Sequence, residues 1–381
     1  MKVLVVSSSF FPKIDGSTRC VYDHTRKLAE GGNEVYLVTR GIPGTRQEEM
    51  FEGIHVRRSS YSFRGGPLPS RIRLMLEQML MIIMLQRKER FSVIHVHGFT
   101  AGLAALPSRF MFGVPIIITT HGTPLLWPRE MWWKSAREVK LTLTFERYVL
   151  NHCDVVIAQS EGVKNYMLRI YGNQIEGKIR IVHTGVDHLK FNVPPKVNGA
   201  LQILFVGALS EIKGLTGLID AFSTIHAQVP TTRLVLVGSG PRASHYKEYV
   251  EGLNLKGSVQ FCGPVRDDAR LLELYRQSDI VVLPSNVGGP ISCTILEGLS
   301  CGRAVISTDV PGGIPDVLGN GVGILVEPEN RVQLENALRG LVTEPDRMKA
   351  FQANARRAVE ERYTLDSMID ELTTLYKEVV A

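Results

Sequence analysis

Short apolar runs rich in β-branched residues alternate with longer amphipathic segments along the whole chain. Several of these runs are continuously apolar, which is typical of parallel strands buried on both faces. Their alternation with helical periods predicts an α/β fold made of two doubly wound parallel sheets. The predicted strands are Val3–Ser7, Val35–Thr39, Val93–His97, Ile116–Thr120, Val155–Ala158, Ile179–His183, Gln202–Val206, Arg233–Val237, Val259–Cys262, Ile280–Leu283, Ala304–Ser307 and Gly323–Val326.

The chain length and one irregular segment divide the protein into domains. At 381 residues the chain is too long for one ordinary core. The segment Gly185–Ala200 is rich in Pro, Gly and Asn and has neither helical nor strand periodicity, so it is the predicted linker. We expect a first domain over 1–187, a second domain over 188–364 and a final helix over 365–381. Ligands of two such domains bind in a cleft at the carboxyl edges of both sheets.

The segment Pro284–Thr308 carries the most specific chemical pattern of the chain. A strand ends at Pro284, a Gly-Gly-Pro turn opens a short apolar helix that stops near Gly302, and another strand follows. Such a helix directs free backbone amides at the crevice, where they favour a phosphate. Glu297 lies one turn beyond Cys293, where its carboxylate can accept hydrogen bonds from sugar hydroxyls. The pattern indicates a nucleotide-sugar site, although a plain strand–helix–strand unit has the same glycines.

Composition narrows the class of protein further. Apolar residues make up 44% of the chain, as in a soluble globular protein, and no window reaches the ~18 apolar residues of a membrane span. The five cysteines contain no C-x-x-C pair, which argues for reduced thiols in a cytoplasmic setting and against a zinc site. The opening MKVLVVSSSF has too short an apolar run for a signal peptide and is interpreted as the first strand.

Charge is unevenly shared between the two halves. Residues 1–187 carry a net charge of +9 and residues 188–381 carry −3. The basic half is compatible with a nucleic acid, an anionic lipid surface or a solvated face without a partner, and no nucleic-acid recognition motif is present. Three clustered tryptophans suit stacking on a sugar acceptor, a bilayer interface or ordinary loop packing. Together with the basic half they make peripheral contact with an anionic membrane a further prediction. The stretch Ile72–Leu85, flanked by basic residues, resembles an interfacial helix. For Ile72–Leu85 itself, a core helix is the favoured interpretation. The tryptophans are Trp127, Trp132 and Trp133.

Eight segments, in order and over nearly the whole chain, resemble the retaining glycosyltransferases of family four. These segments are FFPKIDGSTRCVYDHTRKLAEGGNEV, VIHVHGFTAGLAAL, IIITTHG, IVHTGVDHLKF, LFVGALSEIKGLTGLIDAF, LVLVGSGP, VQFCGPVRDDARLLELYRQSDIVVLPS and ILEGLSCGRAVISTDVPGGIPDVL. The resemblance implies the GT-B architecture, with two Rossmann-like domains facing a cleft and the C-terminal helix returning to the first domain. It implies a nucleoside diphosphate sugar as donor, bound by the second domain, and a glycan or lipid-linked acceptor, bound by the first. No cofactor is implied.

The resemblance also implies roles for individual residues. His121 would contact the donor sugar at the reacting end, and the Lys213 ammonium would contact the diphosphate leaving group. Gly16 would let the backbone approach the phosphates without a Cβ. Glu297 matches the ribose-binding acid of the family. The remaining donor-binding positions are Gly289, Ser292, Cys293 and Thr294.

Retaining transfer in this family is usually described as front-face attack, in which the leaving phosphate takes the proton of the acceptor, so no pair of catalytic carboxylates is expected. No Asp-x-Asp motif is present, in agreement with metal-independent chemistry.

Three positions depart from the family pattern. Gly289 replaces a common glutamate, Ala208 replaces a common arginine, and Asp15 replaces the first glycine of a Gly-Gly pair. Losing a charge-assisted contact costs about 1.5–3 kcal/mol, so Arg19 or another basic residue is a candidate substitute. Two rival functions follow, a non-catalytic nucleotide-sugar-binding partner subunit and an epimerase of the same architecture. The G-x-G-x-x-A pattern at Gly238 lacks the downstream acid of a nicotinamide site, which argues against an oxidoreductase.

Overall fold

The computed structural model describes residues 1–12, 16–60, 68–121, 136–194 and 199–381, with only the backbone of 68–71 and 136–137. Its first sheet has eight strands in the order β3-β4-β2-β1-β5-β6-β7-β8. All neighbours are parallel except the antiparallel pair β3–β4. The strands are β1 Lys2–Ser7, β2 Glu34–Thr39, β3 Glu48–Phe51, β4 Ile54–Arg58, β5 Val93–His97, β6 Ile116–Thr119, β7 Val155–Ala158 and β8 Ile179–Ile181.

The second sheet has six parallel strands in the order β11-β10-β9-β12-β13-β14. Its order reverses between β9 and β12, and a ligand crevice forms at such a switch point. The predicted fold of two doubly wound parallel sheets is therefore confirmed. The strands are β9 Gln202–Val206, β10 Arg233–Val237, β11 Val259–Gly263, β12 Ile280–Leu283, β13 Ala304–Thr308 and β14 Ile324–Val326.

Helices connect the strands and cover both faces of each sheet. In the described part of the chain the first domain contains α1 (Gly16–Glu30), α2 (Leu68–Glu89) and α3 (Phe99–Phe112). Two further helices of this domain follow, Ala136–His152 and Glu161–Tyr171. The later helices are Leu215–Gln228, Ala243–Gly252, Asp268–Gln277, Cys293–Ser300, Gly313–Leu318, Arg331–Thr343, Pro345–Arg362 and Leu365–Val380, and short 3-10 helices cover Asn173–Lys178 and Glu211–Lys213.

All twelve predicted strands are present, with ends within two residues, but β3 and β4 were not predicted. β3 is a half-exposed edge strand of sequence EEMF, and β4 carries two arginines in IHVRR. Neither has the continuous apolar run that identifies a buried parallel strand.

The final helix, Leu365–Val380, packs against the first domain, as expected. Its buried face joins the apolar core that surrounds Val3 and Val5 of the central strand β1. The Thr364 side chain caps the helix by accepting a hydrogen bond from the Ser367 amide at 3.0 Å. Thr364 also forms a parallel bridge with Val186, so the two segments that connect the domains lie side by side. The predicted boundaries at residues 187 and 364 stay predictions.

The prediction of a core helix over Ile72–Leu85 is right for one face of α2 only. Leu74 and Ile82 are buried, whereas Leu80 and Met84 are 57% and 69% exposed. The apolar residues surround the helix almost completely, and the domain covers only the side that faces its core. No helix among the described residues combines the length and the apolar character needed to cross a membrane.

Candidate active site

A cavity of about 500 Å³ lies between the two domains at the carboxyl ends of β9, β10 and β12. This is where the topology of the second sheet places a ligand. Six of the eight residues predicted from the sequence line it, namely Gly16, Lys213, Ser292, Cys293, Thr294 and Glu297. Residues more than 270 positions apart in the chain are thus brought to one surface.

The helix Cys293–Ser300 begins at the wall of this cavity. Ser292 is its N-cap residue, has an extended backbone, and makes no capping bond with its side chain. The backbone amides of Ile295 and Leu296 donate to the Ser292 carbonyl, so the amides of Cys293 and Thr294 have no acceptor within the helix. The Thr294 hydroxyl donates to the Val206 carbonyl at 3.1 Å, which holds the helix against the end of β9. The helix therefore presents free amides and the positive end of its dipole to the cavity.

A second helix begins on the opposite wall. Gly16 is the first residue of α1, and the Cys293 thiol contacts its carbonyl oxygen at 3.8 Å. Among the residues that the structure describes, no atom lies within 4 Å of a Cβ built at Gly16. Packing within the protein therefore does not require glycine here, and the space beside it belongs to the cavity. Burial raises the pKa of the Cys293 thiol well above its ordinary value, so the thiol is not a nucleophile at neutral pH.

Glu297 is 7% exposed and lies one turn further along the same helix. The Tyr275 hydroxyl donates to its Oε2 at 2.7 Å. Burial raises the pKa of Glu297 to about 7, and the hydrogen bond from Tyr275 opposes this shift. The carboxyl group is consequently close to half ionised at neutral pH, and a ligand that donates hydrogen bonds to it favours the ionised form.

Lys213 lies in a tight turn of the loop after β9, and this turn packs against Pro284 at the end of β12. It closes the short 3-10 helix Glu211–Lys213, and Gly214 follows with a φ of 67°. A Cβ at Gly214 would lie 2.0 Å from the Pro284 carbonyl oxygen, so only glycine allows this approach. Among the residues that the structure describes, no carboxylate lies within ion-pair distance of the Lys213 ammonium. Burial lowers the pKa of Lys213 below its ordinary value, as expected of a cation held without a counter-ion.

Arg19 of α1 brings a second cation to the cavity. Its Nη1 donates to Asp268 Oδ1 at 2.9 Å, and its Nε donates to Asp23 Oδ2 at 3.3 Å. Burial alone lowers the pKa of Arg19, but the two carboxylates outweigh it, and the pKa ends above its ordinary value. Ala208, where the family commonly has an arginine, also lines the cavity and contributes only a methyl group.

Two models of known protein families match this chain. Residues 14–189 match "Glycosyltransferase Family 4", and residues 187–358 match "Glycosyl transferases group 1". Together these two matches span residues 14–358, so the chain is a glycosyltransferase similar to family four.

Curated relatives and solved structures agree with this assignment. An uncharacterized glycosyltransferase of Methanocaldococcus jannaschii is 25% identical over 99% of this chain and 98% of its own length. Alpha-maltose-1-phosphate synthase of Mycolicibacterium smegmatis is 26% identical over 78% of this chain and 82% of its own. Sucrose-phosphate synthase from Thermosynechococcus elongatus has the same fold, with a TM-score of 0.87 at 22% identity, covering 99% of this chain and 98% of that one. Anabaena HepE in complex with UDP-glucose gives a TM-score of 0.78 at 19% identity, covering 99% and 100%.

Gly289, one of the two remaining predicted residues of this glycosyltransferase, does not line the cavity. It is buried and paired with Gly312, its amide donates to the Pro311 carbonyl at 3.0 Å, and its φ is 145°. Residues with a Cβ rarely adopt this conformation. The glutamate common in the family is therefore incompatible with the backbone that this chain has at position 289. Asp15 lies outside the described residues.

His121, the other remaining residue, also lies outside the lining of the cavity. It is half-buried just after β6, and its Nε2 is 2.8 Å from His97 Nδ1. His97 belongs to a buried group with His24 and His95, the one group in the described part of the chain whose nitrogens are close enough to suggest a metal site. Sequence reasoning missed this group, although the alternation VIHVH in β5 places His95 and His97 on one face of the strand.

The glycine pattern at Gly238 has a packing explanation. A Cβ at Gly238 would lie 1.9 Å from the Gly207 carbonyl oxygen, and one at Gly240 would lie 2.3 Å from the Leu209 carbonyl oxygen. These glycines allow the loops after β9 and β10 to touch, so the motif needs no dinucleotide to account for it.

Proposed function

We propose that this glycosyltransferase moves a hexosyl or N-acetylhexosaminyl group from a nucleoside diphosphate sugar to a glycan or lipid-linked acceptor, with retention of configuration. The observation that carries the proposal is the convergence of the Lys213 ammonium, the amides of Cys293 and Thr294, and the Glu297 carboxyl in one cavity. An ammonium and free amides suit a diphosphate, and a buried carboxyl suits the hydroxyls of a ribose. The bound nucleotides of HepE, UDP and UDP-glucose, make uridine diphosphate sugars the first donors to test.

The chemistry follows from where negative charge develops. The bond between the sugar C1 and the diphosphate oxygen breaks, and the acceptor oxygen bonds to C1 from the same face. The acceptor proton passes to the departing diphosphate oxygen. Lys213, Arg19 and the end of the Cys293–Ser300 helix stabilise the charge that builds on the diphosphate. In this scheme the chain itself supplies the cations at the leaving group, in keeping with metal-independent transfer.

Arg19 can supply the positive charge that the family commonly has from an arginine at the position of Ala208. Two of the five N–H groups of its guanidinium hold Asp23 and Asp268, which fixes the plane of the group at the cavity wall. The remaining N–H groups can donate to phosphate oxygens. Under this proposal the diphosphate is held from both domains, by Lys213 of the second and Arg19 of the first.

A calorimetric screen with uridine, guanosine and adenosine diphosphate sugars tests the proposal, followed by turnover with the donor that binds. Lys213→Ala should lower kcat/KM about 10- to 100-fold, because a charge-assisted contact to the leaving group is lost. Lys256→Ala is the matched control, since that lysine is 80% exposed and distant from the cavity. Full transfer by the Lys213→Ala variant would contradict the proposal.

The two rival functions have distinct outcomes in the same screen. Binding of a donor without turnover, in the presence of acceptor extract, would favour the partner subunit that the changes at Gly289 and Ala208 suggest. Conversion of the donor to an isomeric sugar nucleotide without any acceptor would favour the epimerase. Formation of a glycosylated acceptor and free nucleoside diphosphate supports transfer alone.

We further propose that an apolar face of the first domain contacts an anionic membrane surface and thereby meets a lipid-linked acceptor. The face is formed by α2, α3 and the helix Ala136–His152, which pack side by side. Exposed basic residues border it, among them Arg87 and Lys88 at the end of α2, which suits anionic headgroups. Its exposed apolar side chains are Ile72, Leu76, Leu80, Met84, Phe110, Met111, Phe112, Leu141, Phe145 and Tyr148. The tryptophans predicted to take part lie outside the described residues.

Co-sedimentation with vesicles tests this contact. The protein should bind vesicles rich in phosphatidylserine at low salt and should bind phosphatidylcholine vesicles far less. Leu80→Glu combined with Met84→Glu should abolish binding, whereas Val332→Glu, which places the same charge on an exposed apolar residue of the second domain, should not. Equal binding of all variants, or no binding by the wild type, would overturn the proposal.

A further inference from the structure

Four histidines of the first domain form one continuous hydrogen-bonded chain with a tyrosine of the C-terminal helix. His121 Nε2 lies 2.8 Å from His97 Nδ1, and His97 Nε2 lies 3.2 Å from His24 Nδ1. His24 Nε2 lies 3.0 Å from the Tyr376 hydroxyl oxygen. The same hydroxyl lies 2.5 Å from His95 Nδ1. We call this series the histidine chain, and it ends where His95 Nε2 lies 2.7 Å from Thr119 Oγ1.

The inner members of the histidine chain are sealed from solvent. His24, His95 and Tyr376 are at most 2% exposed, and His97 is 5% exposed. Burial lowers the pKa of His24 to about 3 and the pKa values of His95 and His97 well below their ordinary value. These rings are therefore neutral at pH 7, and each has one N–H donor and one bare acceptor nitrogen.

Neutrality makes the proton positions interdependent. If the Thr119 hydroxyl donates to His95 Nε2, then His95 carries its proton on Nδ1 and donates to Tyr376. The Tyr376 hydroxyl then donates to His24 Nε2. His24 and His97 in turn donate from Nδ1, and the His121 Nε2 at the end accepts.

The opposite direction places every ring proton on Nε2. Any mixed arrangement leaves a buried N–H or O–H of the chain without an acceptor, or a bare ring nitrogen without a donor. An unpaired buried polar group of this kind is disfavoured, because it loses its hydrogen bonds to water and gains none in the protein. Both uniform directions satisfy the two ring nitrogens of His24, His95 and His97.

We propose that His97, His24 and Tyr376 are positioning residues that fix the tautomer and the orientation of His121, so that all four histidines share one tautomer. The inference rests on the proposed function only where it assigns a contact with the donor sugar to His121. It gives the C-terminal helix a second task besides covering the core. The Tyr376 hydroxyl links His24 to His95 by hydrogen bonds. Tyr376 lies on the C-terminal helix, which packs against the first domain.

A metal ion is the main alternative for this group. The 3.2 Å between His24 Nδ1 and His97 Nε2 is close to the separation of two ligands on one tetrahedral zinc ion. However, both nitrogens of His24, His95 and His97 already have hydrogen-bond partners in the chain, which leaves none for an ion. Elemental analysis of the protein as purified distinguishes a metal site from a hydrogen-bonded series of histidines. One equivalent of a bound divalent metal would contradict the proposal.

Long-range proton–nitrogen NMR of imidazole-labelled protein at pH 8 tests the inference directly. The wild type should show His24, His95, His97 and His121 all protonated on Nδ1 or all protonated on Nε2. A mixed set would overturn the proposal. This spectrum needs no donor or acceptor, so the inference and the proposed glycosyl transfer can fail independently of each other.

The Tyr376→Phe variant tests the coupling. It should let both tautomers be populated at His97 and His121, neither of which Tyr376 contacts, because their proton positions are then no longer tied to those of His95 and Thr119. It should also lower kcat about 10- to 100-fold, the range known for partners that orient metal-ligating histidines. The KM for the donor should change by less than about threefold, because the contacts to the nucleotide remain. The matched control is Tyr171→Phe, which removes a buried hydroxyl that donates to Glu146 Oε2 at 2.6 Å in the same domain.

The control variant should lose stability but keep the wild-type tautomers. Unchanged spectra of His97 and His121 in Tyr376→Phe would overturn the coupling. If Tyr376→Phe does not fold, the uniform tautomer of the wild type remains the deciding observation.

Discussion

Arg19 Nη1 in the first domain donates to Asp268 Oδ1 in the second at 2.9 Å, across the cleft that both residues line. Lys190 of the linker also pairs with Asp268, so one carboxylate holds two cations at the junction of the domains. The desolvation of Asp268 raises its pKa, but the hydrogen bonds from Lys190 and Arg19 outweigh this effect and keep the pKa below its ordinary value. The pair therefore stays ionised at neutral pH. It aligns the Arg19 guanidinium beside the proposed diphosphate site and ties the two domains together there.

This relationship leads to a prediction that separates two roles of Arg19. Arg19→Ala should raise the dissociation constant of the donor about 10- to 100-fold, because a buried cation near the diphosphate is lost. Asp268→Asn removes the charge of the partner but keeps an amide oxygen that can accept the Arg19 hydrogen bond, so the guanidinium stays aligned and donor affinity should be unchanged or improved. Calorimetry on both variants gives the answer. An equal loss of affinity in both would mean that Arg19 acts only by holding the domains together.

The buried carboxyl of Glu297 predicts how donor affinity depends on pH. A carboxyl whose pKa is raised to about 7 in the free enzyme must ionise to accept hydrogen bonds from ribose hydroxyls. The dissociation constant of the donor should thus fall about tenfold between pH 6 and pH 8. Glu297→Gln should bind more weakly at pH 8 and show little dependence on pH. A wild-type affinity that does not change with pH would contradict the assigned role.

The raised pKa of Glu297 also makes folding stability depend on pH, and here a higher pH lowers stability whereas it raises donor affinity. Between its ordinary value and about 7, the folded protein holds the proton of Glu297 more tightly than the unfolded chain does, so stability falls as the pH rises through this range. Glu297→Gln removes this effect and can still accept the hydrogen bond from Tyr275. The free energy of unfolding of the variant, relative to wild type, should rise by about 1–3 kcal/mol from pH 5 to pH 8. Denaturant titrations at the two pH values measure it.

Gly289 predicts a cost for restoring a side chain at the position where the family has a glutamate. Because its φ is 145°, Gly289→Ala should destabilise the protein by about 1–3 kcal/mol, and Gly289→Glu should not raise activity. Gly217 is the matched control, since it lies inside the helix Leu215–Gln228 with no atom near a built Cβ. Gly217→Ala should stabilise by about 0.5–1 kcal/mol. Equal melting temperatures of Gly289→Ala and wild type would contradict the backbone argument.

Gly16 predicts a loss of binding without a loss of stability. A methyl group at this position meets no atom of the described part of the chain and enters the space proposed for the diphosphate. Gly16→Ala should therefore unfold within about 0.5 kcal/mol of wild type, as surface changes do, but bind the donor at least several-fold more weakly. Gly252→Ala, at an equally open position that does not line the cavity, should leave donor affinity unchanged. Unaltered donor affinity of Gly16→Ala would remove the steric reason for glycine.

Local pattern was enough to find most of this architecture. Continuous apolar runs such as Val93–His97 and Ile280–Leu283 mark strands buried on both faces, because no water reaches either side of them. The edge strand β3 escaped prediction because it is polar and half exposed, and its neighbour β4 escaped because two arginines interrupt its apolar run. The exposed face of α2 could not be predicted for a related reason. The sequence shows that the helix is apolar, but it does not show which side of the helix the rest of the domain covers.

The candidate site was predictable where its chemistry depends on neighbours in the chain. The turn, the free amides and the acid at Glu297 lie within one strand–helix unit, and backbone geometry over such a span is set by local sequence. Lys213 and Gly16 were found only through the resemblance, which carries over residue by residue. Tyr275 and Asp268 were not predicted, because a hydrogen bond between side chains depends on how separate elements pack.

The amino-acid sequence by itself determined two parallel α/β sheets and a helix whose first amides suit a phosphate, since strand burial and helix ends follow from short-range pattern. Only the tertiary structure decided that Arg19 reaches Asp268, that Gly289 turns away from the cavity, and that Tyr376 completes a chain of histidines begun more than 250 positions earlier. The physical reason is that these contacts join groups from distant segments at separations of about 3 Å. Their geometry depends on the packing of whole helices against sheets, which no local stretch of residues encodes.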